Sequence, residues 1–219
     1  MSAPGDSVVK IPLIQVLLFA MPIALASTAP ASDSPAGPKP SDGTKESGWH
    51  LLPEPKFMAH EISWPIPGSS RAVCLPVKDA PHDPIPLSAK DISNQSLSRE
   101  QILREGRSQA AERLSSQPPT YVRDAQGVIR YAVISADDPL TASVVFAPDF
   151  AEFFSETIGP DPLVVIPNRF RVYIFPRSAP PGSDFSEIIF TDYHATSYPV
   201  SREVFEARGG TLKAVGLMR

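Results

Sequence analysis

The chain has 219 residues, 26 of them proline and one a cysteine, with 42% apolar and 20% charged residues, a formal net charge of −4 and a pI near 5.6. A mildly acidic chain with no run of Lys and Arg interleaved with aromatics lacks the positive field that phosphate neutralisation by a nucleic-acid binder requires. A lone Cys74 excludes an intramolecular disulfide and leaves a cysteine-based zinc or iron–sulfur centre without its other thiolates.

Residues 11–26, IPLIQVLLFAMPIALA, carry one polar side chain, Gln15, follow Lys10 and end in Ala24, Leu25 and Ala26. This is the layout of a secretory signal peptide cleaved after Ala26. The rival reading is a retained membrane anchor. Against it, the stretch is shorter than the roughly 20 residues a helix needs to span, and Pro12 and Pro22 interrupt it. The expected location is periplasmic or secreted, with contact to a membrane only if the segment is retained. Residues 27–48 hold no aromatic, Leu or branched aliphatic side chain, so burial cannot offset the entropy of ordering them, and a disordered linker is expected.

Residues 49–97 mix hydrophobes with eight prolines and read as a Pro-rich irregular segment. Alternation suggests strands over 57–64 and 71–77, joined by a turn at 65–70. Trp49 and Trp64 are large enough to pin this segment onto a core.

From residue 98 onward the pattern is regular. Ser98 with Gln101 forms a capping box, and Ile102, Leu103, Ala110, Ala111 and Leu114 recur at helical spacing until Pro118 and Pro119; a helix over 98–115 follows, weakened by Gly106. Residues 121–123 and 128–135 flank Asp124-Ala125-Gln126-Gly127 as a hairpin. Pro148, at a first helical position, opens a second helix with Phe150, Phe153, Phe154 and Ile158 on one face, ended by Gly159-Pro160. Two strands, 163–166 and 171–175, meet at Pro167-Asn168-Arg169. A third helix starts at Ser183, with Phe185, Ile188, Ile189 and Tyr193 on one face; strands 198–207 and 212–217 close the chain around Gly209-Gly210.

The expectation is an α+β domain over 98–219, its mostly antiparallel sheet carrying about three helices on one face, preceded by a disordered Pro-rich segment. The residues from Phe150 to the C terminus, among them FAEFFSETIGPDPLVVIPNRFRVYIFPR and DYHATSYPVSREVFEARGGTLKAVGLM, resemble the C-terminal part of the YtpQ-like family of uncharacterised bacterial proteins. The resemblance covers roughly a third of the chain, and the entry proline of the closing hairpin has its counterpart in Pro199. It implies an α+β fold and carries no catalytic residue.

The chemistry offers few candidates. His50, His60, His82 and His194 are never three or four residues apart, so no HExxH zinc site is present, and neither a metal nor a cofactor is expected. Asp192, Tyr193 and His194, with Ser197 and Tyr198, supply an acid, an imidazole and hydroxyls suited to proton transfer, although adjacent residues on a helix point in different directions. The simpler reading is a helix C terminus favoured by a partly cationic His194 and stacked by Tyr198. Asn168, Arg169 and Arg171 gather at the turn of the 163–175 strand pair, where arginines either meet an acidic or phosphate-bearing partner or pair with surface carboxylates. The binding candidates are thus Asn168, Arg169, Arg171 and His194. The function expected is that of an exported, non-enzymatic module that binds a protein or small ligand; the alternative is a weakly marked hydrolase using His194 or Cys74.

Overall fold

Strand β1, Trp49–Pro55, is the first regular element of the computed structural model, which describes residues 48–218 apart from 81, 180 and 181. The expected signal segment, 1–26, and the expected linker, 27–48, except for Gly48, lie outside the described residues. Every residue of β1 is buried, including Pro53 and Pro55. The strand expected over 57–64 does not form: Lys56–Met58 is a short 3₁₀ turn, and only Trp64–Pro65 (β2) pairs. The expectation at 71–77 corresponds to β3, Ala72–Lys78, which runs antiparallel to β1 with Leu52 opposite Leu75. Proline misled the reading of 49–55. β1 is an edge strand, so Pro53 and Pro55 deprive no second neighbour of a donor. Pro76 falls between the positions where β2 and β4 (Ile85–Pro86) pair with β3.

Two capped helices follow, of which the second covers this small sheet. In α1, Ala89–Gln95, Ser88 and Asp91 form a capping box, and in α2, Arg99–Ser116, Ser98 and Gln101 do the same. The stripe Ile102, Gly106, Ala110 and Leu114 is the buried face of α2. Gly106 is there for space: a Cβ on it would stand 2.5 Å from Leu51 Cγ of β1. Trp49 packs with Leu87 and Ile102, and Trp64 packs beside them, so both tryptophans anchor 49–97 to the rest. Leu51, Leu52, Cys74 and Val77 belong to the same core cluster as Phe150 and Phe205, and the described residues form one compact unit.

The second sheet is antiparallel throughout, in the order β10-β9-β7-β8-β6-β5: β5 Thr120–Arg123, β6 Ile129–Ser135, β7 Leu163–Asn168, β8 Arg171–Phe175, β9 Glu203–Arg208 and β10 Thr211–Leu217. The β5–β6 hairpin turns at Gly127, whose φ of +84° suits glycine. Residues 198–202 run extended without joining a ladder, apart from a bridge between Asn168 and Pro199. The α+β class holds, but the helices are not gathered on one face. Ala132, Ile134, Val164, Ile166, Val172, Ile174 and Phe205 face the core shared with β1 and β3. Val165, Tyr173, Phe175 and Val204 face Ile189 and Phe185 of α4, Ser183–His194, on the opposite side. Burial on both faces is why β7 and β8 read as unbroken apolar runs rather than alternating ones.

Between β6 and β7 the chain forms a wholly buried 3₁₀ helix, Thr141–Phe146, and then α3, Phe150–Ser155. Ala147, immediately before Pro148, is extended (φ −61°, ψ 132°), because a residue preceding proline is turned away from helical angles. Phe150, Phe154 and Ile158 point inward, whereas Phe153 is 40% exposed and rests edge-on against Phe154. Among the described residues no helix is long and apolar enough to cross a membrane.

Candidate functional site

Asn168 and Arg169, at the β7–β8 turn, are both buried. Asn168 Nδ2 donates to the Asp192 carbonyl at 2.9 Å, and its Oδ1 accepts from the Phe170 amide, so its side chain braces the turn against the end of α4. Arg169 Nε donates to Glu54 Oε1 at 2.5 Å and Nη1 to Asp83 Oδ1 at 2.6 Å, while the guanidinium lies over the Tyr198 ring. Burial pushes the Glu54 carboxyl up and Arg169 opposes that push. Arg169 therefore joins β1 to the second sheet, and its fork is engaged by carboxylates of this chain.

Arg171 Nη1 donates to Asp192 Oδ1 at 2.7 Å, and the Tyr173 hydroxyl donates to Asp192 Oδ2 at 2.5 Å. The bond from Arg171 to Asp192 raises the guanidinium above its ordinary value. Burial, with the neighbouring Asp192 carboxylate second, raises the Tyr173 phenol as well. Asp192 thus turns toward β8 and away from His194. His194 is exposed, packs on the rings of Phe190 and Tyr193, and borders an open depression with Glu187 and Thr191. Tyr198 meets Phe170 edge to face and lies under the Arg169 guanidinium instead of stacking on His194. The acid, imidazole and hydroxyls that sequence brings together are separated by the fold.

A more enclosed site lies where α2 crosses the small sheet and the β9–β10 turn. It offers about 200 Å³, walled by Leu51, Trp64, Ile66, Leu103, Phe146 and Leu212. Two cations stand on its lining: Arg99 over the Trp64 ring at 5.0 Å, and Arg107, whose Nε donates to the Gly210 carbonyl at 3.0 Å. Cys74 is part of the same wall, and burial pushes its thiol up to about 12 despite the opposing pull of both arginines. Sequence reading missed this pocket because its walls come from six separate segments. The helical spacing of Arg99, Leu103 and Arg107 was the available signal, since it sets two cations and an apolar side chain on one face of α2.

No family model, no curated protein and no solved structure matches this chain. The site rests on its own geometry.

A second depression, of about 240 Å³, opens between the Lys56 turn, Ser70-Arg71 and Ser201-Arg202, with Phe57 and Tyr193 on its lining. Behind it the buried Glu203 carboxylate accepts from Ser69 Oγ at 2.6 Å, the Ser70 amide at 2.9 Å, Ser201 Oγ at 3.1 Å and Ser70 Oγ at 3.3 Å. These bonds fasten the 68–71 turn to the start of β9. Among the described residues no group of three or more His, Cys, Asp or Glu side chains is placed to hold a metal ion.

Proposed function

We propose that the protein is a non-enzymatic binding module of the bacterial envelope, exported through residues 11–26, that takes a small ligand with an apolar body and one anionic group. The observation that carries this reading is the pocket under α2: apolar walls with two arginines on the lining. A cavity of this kind favours an apolar body, and a guanidinium fork favours a carboxylate. Its size, about 200 Å³, compares with the roughly 150 Å³ engineered cavity that takes benzene. Benzoate and hexanoate are ligands of suitable scale. The resemblance of residues 150–219 to the YtpQ-like family enters this reading as a shared pattern and adds no residue role.

The test is a titration of the full chain, following tryptophan fluorescence, with benzoate and hexanoate against benzyl alcohol and hexanol. We expect the anions to bind at least about fivefold more tightly than the alcohols, as a charge-assisted hydrogen bond to Arg99 or Arg107 requires. Leu103→Trp, which fills the pocket, should abolish the response to both. Absence of binding at millimolar anion, or binding unaffected by Leu103→Trp, overturns the reading. Export is tested separately by sequencing the N terminus of the protein recovered from fractionated cells: a start near Ser27 in an extracytoplasmic fraction supports it, and an intact cytoplasmic chain refutes it.

The hydrolase alternative draws less support. A thiol pushed up to about 12 supplies almost no thiolate nucleophile at neutral pH. His194 packs on aromatic rings while Asp192 binds Arg171 and Tyr173.

A further inference from the structure

We propose that the cleft beneath the Lys56 turn is a second, independent site, one that binds a phosphomonoester dianion. Three cationic side chains, Lys56, Arg71 and Arg202, line it. What sets them apart is that three converge on one cleft, and among the described residues none of the three has a carboxylate within ion-pair distance. A chain whose net charge is −4 has thus left three cations uncompensated at one place.

The fold holds these cations together. The Lys56 amide donates to the Arg71 carbonyl at 2.6 Å, which keeps the two residues side by side. The Arg202 guanidinium lies over Phe190 at 4.1 Å and near Tyr193 at 5.8 Å. A guanidinium stacked by its face keeps its in-plane N–H groups free for an oxyanion.

Neutralising the buried Glu203 does not account for the cluster, because its hydrogen-bond donors are Ser69, Ser70 and Ser201 rather than a cation. Three positive charges set against that one carboxylate leave an excess near +2. A phosphomonoester carries about −1.5 to −2 at neutral pH, which matches. Phe57, 75% exposed at the lip, offers a face for the organic part of the ester. The phosphate reaches the cleft either on a soluble metabolite or as a lipid headgroup, and the chemistry of recognition is the same.

The experiment titrates the full chain at low ionic strength with inorganic phosphate, with phenyl phosphate, and with phosphatidylcholine vesicles containing or lacking phosphatidic acid. We expect phenyl phosphate to bind more tightly than inorganic phosphate. We also expect the double variant Arg71→Gln, Arg202→Gln to lose at least about tenfold in affinity, as removal of two charge-assisted partners requires. Lys56→Gln, at an exposed position, provides a second reading independent of the Arg202 stacking. Binding of phenyl phosphate that fails in these variants supports a soluble ester. Vesicle binding that needs phosphatidic acid and fails in the same variants supports a lipid headgroup. Absence of binding to both, or binding unchanged in the variants, overturns the proposal. Leu103→Trp should leave phosphate binding unaltered, so failure of the apolar pocket and failure of this cleft are read separately.

Discussion

Arg169 Nε rests 2.5 Å from Glu54 Oε1, both side chains buried, joining the first strand of the small sheet to a turn of the large one. Removing Glu54 leaves the buried guanidinium with the half-exposed Asp83 as its remaining counter-charge, so its desolvation is compensated only in part. Glu54→Gln should therefore cost about 3–5 kcal/mol. Arg169→Met combined with Glu54→Leu should recover much of that loss, and urea unfolding of the two variants measures the difference. A loss below about 1 kcal/mol for Glu54→Gln, within the range of a surface pair, would show that the bond is not acting as a buried one.

Gly106 and Leu51 should behave as a coupled pair. The 2.5 Å approach of a new Cβ to Leu51 Cγ makes Gly106→Ala destabilising, by about 1–3 kcal/mol, although alanine is the better helix former. Combined with Leu51→Ala, the same substitution should be close to neutral. A double-mutant cycle reads the coupling, and additive costs would mean that α2 simply shifts to make room.

His50 gives stability a pH dependence. Its imidazole is held below the ordinary value, first by burial and second by Arg113, with Asp79, Asp138 and Glu112 opposing, and its Nδ1 has no hydrogen-bond partner. The unfolded chain takes up the proton first as pH falls through its ordinary value near 6.5, so the unfolded state is favoured from there down to the depressed folded value. Stability should decline from pH 7 through 6, and the His50→Gln variant should lose that slope. Denaturant midpoints at half-unit steps of pH test this.

Cys74 works in the opposite direction. With its thiol pushed up to about 12 by burial, the folded state keeps a proton that the unfolded state releases near 9, so its contribution is intact below 9 and is lost as pH rises toward 12. At pH 8 the thiolate fraction should be about a thousandfold lower in the folded chain than in the unfolded one. Alkylation by iodoacetamide should be slow in buffer and fast in urea, and occupation of the pocket by benzoate should slow it further. Comparable rates in buffer and urea would show that Cys74 is accessible.

Much of the fold from residue 98 onward was written locally. Ser98 and Gln101 cap α2, Gly127 turns a hairpin, and the aliphatic runs on either side of residues 169–170 pair as strands. The seven residues of β1 were not legible in the same way, because the role of Pro53 depends on whether its strand lies at an edge. The position of α4 was also hidden: a strand buried on both faces gives no alternation from which to choose a side. Of the site candidates, Arg169 and Arg171 do sit close together, yet each is paired within the chain. The cations that line the second cleft are Lys56, Arg71 and Arg202. Two of them follow a serine in the pairs Ser70-Arg71 and Ser201-Arg202, but no local rule relates one pair to the other.

The bonds from Ser69 and Ser70 to Glu203 and from Glu54 to Arg169 join the beginning of the described chain to its end. Contacts of such high sequence separation form late, since the intervening loop must first be closed. A chain leaving the ribosome from its N terminus has β1 and β3 exposed early but lacks the turn at 169 and the strand at 203 that complete their surroundings. It stays open until those later segments have been made. That order of arrival makes the β9–β10 hairpin the element whose docking closes the surroundings of the first sheet.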